Sequence, residues 1–364
     1  MTSHAPCAFA IPGDIRTLTG GYIYERRLLM GLRQRGHDVT HLRLPDSFPD
    51  PSAKQMRTAV AALQKVGPAR PLILDGLVFG AIETAGLASV RAPVIAMIHH
   101  PLALESDLSA VRRDHLFRTE YDNLRLARHV LVPSPHTRDI LMQRYDVAAK
   151  RITVARPGID PPKHAAAPVQ PPLILSVGIQ HKRKGHDILI EALTRLLDLD
   201  WRAVIVGSPW DADHAALLRA QLDRSGLASR LSLAGRVPAD RLQRLYGQAS
   251  IFALATRYEG YGIVFDEALL RGLPIVSCRV GAVPDTVPEG TGILVPPENA
   301  DAFAAALRQL LSRPAMRRRL ADAAALAGRR LPGWDQTALT AGGVIDRIAA
   351  GDPGSGDPRP GGAC

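Results

Sequence analysis

Short apolar runs alternate with longer helical stretches from one end of this chain to the other. A chain patterned in this way folds into parallel strands joined by helical crossovers. In the first half the apolar runs are Cys7–Ile11, Asp38–Leu42, Pro71–Leu74, Pro93–Ile98, His129–Val132 and Ile152–Val154. Helical periodicity covers Tyr22–Arg35, Ser52–Val66, a short piece near Val78–Ala88, Asp107–Ala127 and Pro135–Tyr145. Pro157–Pro172, rich in Pro and Ala, has the composition of a linker. The rhythm then restarts, with strands expected at Leu173–Val177, Arg202–Val206, Leu231–Ala234, Ser250–Ala255, Pro274–Ser277 and Gly292–Val295. Helices are expected at Lys184–Leu197, Asp211–Ser225, Pro238–Gln248, Gly262–Arg271, Ala300–Ser312, Pro314–Arg330 and about Gln336–Ala350. The expected class is α/β, with two doubly wound domains whose parallel sheets face an interdomain cleft, where ligands are favoured.

A chain of 364 residues has room for two such cores. With 46% hydrophobic and 22% charged residues it reads as a globular enzyme. No apolar run approaches a bilayer's thickness, and Met1–Pro6 lacks a secretory pattern. Cys7, Cys278 and Cys364 are too few and scattered for a disulfide framework or zinc site, and suggest a reducing cytosol. The net charge of +10 invites an anionic partner. A solvated Arg-rich surface with no specific partner explains it more simply, and zinc-finger spacing or long basic runs, the marks of a nucleic-acid binder, are absent. The expected location is cytoplasmic; peripheral contact at the inner face of an anionic membrane is one option the charge leaves open, and vesicle co-sedimentation at low salt tests it.

The chemistry concentrates between Arg257 and Arg271. A buried strand leads into a turn holding Gly260, Tyr261 and Gly262, and a helix follows. Glu259 stands at the turn and Glu267 just inside the helix. In open α/β sheets ligands bind where strand ends meet helix starts, and free helix amides there favour anions. Glu267 suits a vicinal diol such as ribose; its plain alternative is stabilisation of a helix N-terminus. Glu259 suits sugar hydroxyls, and the paired glycines let amides approach a ligand closely. After Leu175–Gly178, the cations Lys182, Arg183 and Lys184 lead into another helix. They suit a diphosphate and the charge on its departing oxygens, against the plain reading of a solvated basic turn. In the first half, Thr19-Gly20-Gly21 offers an amide nest or a plain loop. His99 and His100 close the fourth strand without metal-ligand spacing: one suits a sugar hydroxyl and the other a structural bond. Ser134 reads as a helix cap.

The acid pair Glu259 and Glu267 with Glu-Gly-Tyr-Gly inside it resembles the retaining glycosyltransferases of family 4. Val177-Gly178 with Arg183-Lys184-Gly185 is similar to that family's phosphate-binding segment, and Gly20-Gly21, His99 and Gly281–Asp285 are similar to further landmarks. The resemblance runs to about Ala350. It implies a GT-B architecture of two Rossmann-like domains: residues 1–165 on the acceptor side, 166–333 binding the nucleotide sugar, and a crossing-back helix at 334–350; the tail at 351–364, mostly Gly, Pro, Asp and Ser, is expected to be disordered from its composition. It also implies a metal-independent, retaining transferase of the hexosyltransferase type. The donor would be a nucleotide-diphosphate sugar, UDP- or GDP-linked, and the acceptor a small molecule, saccharide or lipid, with no cofactor and no metal site. Carried over by position, Glu259, Lys184 and His99 are the catalytic residues. Gly20, Gly21, Arg183, Lys184, Glu259, Gly260, Tyr261, Gly262, Ile263 and Glu267 bind the donor, and no residue serves as a conventional general base. Many members carry Arg directly after the Val-Gly, where this chain has Ile179. A nucleotide-sugar epimerase or hydrolase on the same fold, or a noncatalytic nucleotide-sugar sensor, is the alternative. Donor incubated without acceptor separates the first, and failure to turn donor over marks the second.

Overall fold

The computed structural model describes residues 4–106 and 108–351. The tail expected to be disordered lies, apart from Gly351, outside the described residues. The chain divides into two compact units, one formed by residues up to Gly158 together with those from Pro332, the other by Ile159–Leu331. The division falls ahead of the boundary expected after residue 165.

The first unit holds β1 (Cys7–Pro12), β2 (Val39–Leu44), β3 (Leu72–Asp75), β4 (Val94–Met97), β5 (His129–Val132) and β6 (Ile152–Val154). They form one parallel sheet in the order β2-β1-β3-β4-β5-β6. The second holds β7 (Leu173–Val177), β8 (Arg202–Val206), β9 (Leu231–Gly235), β10 (Ile251–Leu254), β11 (Ile275–Cys278) and β12 (Gly292–Val295). Its order, β12-β11-β10-β7-β8-β9, is again all parallel. Both sheets are doubly wound, the Rossmann-like arrangement of a GT-B chain. The chain reverses its direction of winding between β1 and β3 in one sheet and between β7 and β10 in the other. Those switch points open the crevices in which such sheets bind ligands.

The strands read as unbroken apolar runs because both faces of each sheet are covered. Along β1, Ala8 and Ala10 face one buried cluster while Cys7, Phe9 and Ile11 face another. Along β10, Ile251 and Ala253 pack to one side and Phe252 and Leu254 to the other. Phe252 and Phe265 are fully buried and meet edge to face at 5.8 Å, each burial contributing about 1.5–3 kcal/mol. Cys7 and Cys278 are buried free thiols, and burial pushes both up to about 12, so neither is a nucleophile.

Helix limits follow their caps. Ser52 and Gln55 form a reciprocal capping box ahead of the helix Ala53–Gln64. The helix expected from Asp107 begins at Ala110, because Ser109 accepts the Arg112 amide. The piece near Val78–Ala88 is two short helices, Gly76–Phe79 and Thr84–Ala88. The helix expected from Lys184 begins at His186, and a 3-10 turn occupies Lys182–Lys184. No described helix is long and apolar enough to cross a membrane.

Candidate functional site

In the second unit, β7 and β10 deliver their C-terminal ends side by side at the switch point. Lys182–Lys184 follow β7 as a tight turn, with His181 accepting the Arg183 amide. Thr256 follows β10, and the amide of the next residue, Arg257, donates to the Arg183 carbonyl at 2.8 Å, stitching the two connections together. Glu259 then enters the space between them. It is 4% exposed, and its Oε1 accepts from Lys184 Nζ at 2.6 Å and from Thr256 at 3.1 Å. Arg183 lies 3.7 Å from Oε2. Burial raises the Glu259 pKa, but Lys184 and Arg183 outweigh it, and the carboxyl is held below its ordinary value. The cations assigned to a diphosphate are therefore also the partners of the acid assigned to the sugar.

The backbone after Glu259 is fixed from two sides. The Ala282 amide donates to the Glu259 carbonyl at 2.8 Å, which gives the Gly281–Asp285 segment a structural purpose. Gly262 takes φ +89° as the N-cap of the helix Ile263–Leu270, a conformation open to glycine and strained for other residues. The Phe265 amide donates to the Gly262 carbonyl at 2.9 Å, whereas Ile263 and Val264 precede any acceptor within the helix, as anion recognition requires. Tyr261, expected at the donor, turns its side chain inward: its hydroxyl donates to Asp266 at 2.6 Å, with Asp266 1% exposed. Glu267 is half-buried and accepts from the Tyr246 hydroxyl at 2.6 Å. Burial raises its pKa, opposed by that hydrogen bond and by Arg271.

Sequence reasoning missed Tyr246, Thr256 and Asp266. An acid inside Ile-Val-Phe-Asp-Glu-Ala-Leu-Leu signals a partner, since buried carboxylates require one. It also missed the purpose of Arg257, which grips Asp187 through two bonds at 2.9 and 2.8 Å and also pairs with Glu298, pinning the start of the helix His186–Thr194.

In the first unit, the helix Gly20–Gln34 starts behind β1 with Thr19 as its N-cap. Gly20 faces open space, and a Cβ on Gly21 would touch the His99 ring at 3.4 Å. His99 follows β4, and its carbonyl accepts from Thr137 at 3.2 Å. His100 instead pairs with Glu105 at 2.5 Å, and Ser134 caps its helix by accepting the Thr137 amide. Behind His99 lie two acids that sequence reasoning did not single out. Glu25 is 1% and Asp75 4% exposed, with Glu25 Oε1 3.6 Å from His99 Nε2. Burial pushes Glu25 up to about 7, and burial together with Glu25 raises Asp75 well above the carboxylate range. Burial lowers His99, partly countered by Asp75. Glu25, Asp75 and His99 bring ligand-type atoms within 4.8 Å of one another, as do His4, His37 and Asp346. In the first group a cation would have to displace the proton that the buried acids retain near neutral pH.

A family model described as "Glycosyltransferase Family 4" matches residues 20–163, and one described as "Glycosyl transferases group 1" matches residues 161–326. A D-inositol 3-phosphate glycosyltransferase from Xylanimonas cellulosilytica is 32% identical over 217 residues, 54% of this chain and 52% of the relative. The Corynebacterium glutamicum protein of that name is 30% identical over 218 residues, again 54% and 52%. The chain spans about half the length of the curated relatives it matches. Among solved structures, sucrose-phosphate synthase from Thermosynechococcus elongatus superposes with a TM-score of 0.82 at 22% identity, covering 95% of this chain and 100% of that one. Anabaena HepE, solved with UDP and glucose, gives a TM-score of 0.74 at 16% identity over 93% and 98%. At such identities the structures speak for the fold alone. With adjoining family models matched across both units, the chain belongs to the group 1, family 4 glycosyltransferases.

Proposed function

We propose that this protein is a retaining glycosyltransferase that moves a sugar from a nucleotide-diphosphate sugar, UDP- or GDP-linked, to a small-molecule, saccharide or lipid acceptor. The observation that carries the reading is the Lys184–Glu259 pair at the β7/β10 switch point. It sets a fixed positive charge and a sugar-binding carboxylate side by side, next to a helix N-terminus. Lys184 and Arg183 bind the diphosphate and stabilise the charge that develops as the bond from the sugar's anomeric carbon to phosphate oxygen breaks. Glu259 and the backbone of Gly260–Ile263 hold the transferred sugar, and Glu267 holds the ribose. Gly20 and Gly21 are assigned to the diphosphate and His99 to the sugar. The acceptor oxygen bonds to the anomeric carbon on the face the phosphate leaves, and the departing phosphate oxygen takes the acceptor's proton. On this reading no side chain acts as general base, and the transfer is metal-independent.

Anabaena HepE, which shares the fold, was solved with UDP and glucose, which supports a nucleotide-sugar donor. The test is a thermal-shift panel of UDP-, GDP- and ADP-sugars on the wild type and on Glu267→Ala. One donor class stabilises the wild type, by about 2.7 kcal/mol at a hundredfold excess over Kd, and the variant loses most of that stabilisation together with turnover. Undiminished donor affinity and turnover in Glu267→Ala would sink the ribose assignment. Absence of any donor response in the wild type would sink the whole reading.

A further inference from the structure

Glu267 does not stand alone. Tyr246 lies on the helix Ala239–Gln248, is 1% exposed, and stacks on Phe252 of β10 at a centroid distance of 6.1 Å. A phenol buried that deeply must hydrogen-bond, and its partner is Glu267 Oε2 at 2.6 Å. Among the described residues no hydrogen bond occupies Glu267 Oε1. The short bond fixes the carboxylate rotamer on a half-buried residue that would otherwise lose side-chain entropy on meeting a ligand.

We propose that Tyr246 is the positioning residue of the ribose clamp, holding Oε2 of Glu267 so that Oε1 is presented to the hydroxyls of the donor's ribose. The assignment rests on Glu267 binding the ribose. Tyr246 acts through Glu267 and need not touch the donor. It specifies ribose over deoxyribose because an orientated carboxylate is left with an unmet acceptor when the 2′-hydroxyl is missing. The groups acting on Glu267 are Tyr246 from the neighbouring helix and Arg271 from its own. The Tyr246 bond favours the ionised form, so its loss moves Glu267 protonation to higher pH.

The experiment compares binding of UDP, GDP and ADP with binding of their 2′-deoxy counterparts by calorimetry across pH, for the wild type, Tyr246→Phe and Glu267→Ala. Tyr246→Phe keeps the ring on Phe252, and an unchanged unfolding temperature certifies its fold. The expected result is that the wild type prefers the ribonucleotide and Glu267→Ala loses the preference. Tyr246→Phe loses roughly tenfold of it, the size of one hydrogen bond to a charged group, and its binding falls away at a higher pH than the wild type's. If the wild type shows no preference, or Glu267→Ala keeps it, the ribose reading fails and this inference with it. If Glu267→Ala loses the preference while Tyr246→Phe keeps both it and the wild-type pH profile, the ribose reading stands and the role of Tyr246 is overturned.

Discussion

Around Glu259, single residues serve fold and site together. Its side chain is 5% exposed, and the Lys184 ammonium reaches it 75 positions away in the chain. Removing one member of a buried pair leaves the other charged and unsolvated, at a cost of about 3–5 kcal/mol. Lys184→Met is therefore expected to destabilise the fold and to lower turnover by about 10²–10³-fold, the scale of a lost transition-state contact. The sign with pH is fixed. Glu259 sits below its ordinary pKa, so its pairing stabilises the fold at neutral pH, and this contribution is lost as pH falls through the folded-state value. The gap in unfolding temperature between wild type and Lys184→Met should be wide at about pH 7 and narrow toward about pH 4. An equal gap at both values would mean that Lys184 matters for something other than Glu259. In the sequence, both acids and the cations stand out by residue type and spacing. Their pairing does not, because it is made by two strands that the chain joins only after several crossovers.

At the level of elements, the strands are the most legible part of the sequence: His129–Val132, Arg202–Val206 and Gly292–Val295 match the expected bounds. Buried parallel strands write themselves as apolar runs. Helix starts are less legible, because a cap or a backbone clash decides them. Gly185 shows the point. It takes φ +64° between the basic turn and the helix His186–Thr194, and a Cβ there would sit 1.8 Å from the Ala255 carbonyl. That close approach ends the turn at Lys184 and sets the helix start at His186. Gly226, at φ +73° with nothing near its Cβ, is the matching control. Gly226→Ala is expected to cost only the left-handed strain, about 1–2 kcal/mol. Gly185→Ala should cost distinctly more, because backbone must move, and should weaken donor binding by shifting Arg183 and Lys184. Chemical denaturation of the two variants measures the difference, and equal losses of stability would show that the Ala255 contact is relieved without cost.

On the scale of the whole molecule, the first unit is assembled from two distant pieces of chain. The helix Trp334–Ala349 returns to it, and Ala338, Ala341, Val344 and Ile345 share a buried cluster with Phe9, Tyr24, Leu28 and Leu32. Approach is close enough that a Cβ on Gly31 would stand 2.7 Å from that of Ala338. Polar ties fasten both ends: Thr337 donates to the Arg156 carbonyl at 2.7 Å, and Asp346 accepts from the Ala5 amide at 2.9 Å and bonds to His4 at 3.0 Å. Periodicity reveals that this helix exists and has an apolar face. It cannot reveal which sheet that face covers, since the contacts span up to 342 positions. Val344 and Ile345 alone contribute about 3–6 kcal/mol through burial, against the 5–15 kcal/mol by which a domain is stable. A chain ending at Leu331 is therefore expected to lose much of the first unit's stability while the second still unfolds cooperatively. It should bind a hydrophobic dye through the uncovered face of the helix Gly20–Gln34, and a peptide spanning residues 332–351, added in trans, should restore the lost transition. A truncated chain that keeps both transitions and binds no dye would show that the returning helix covers the first unit without holding it together.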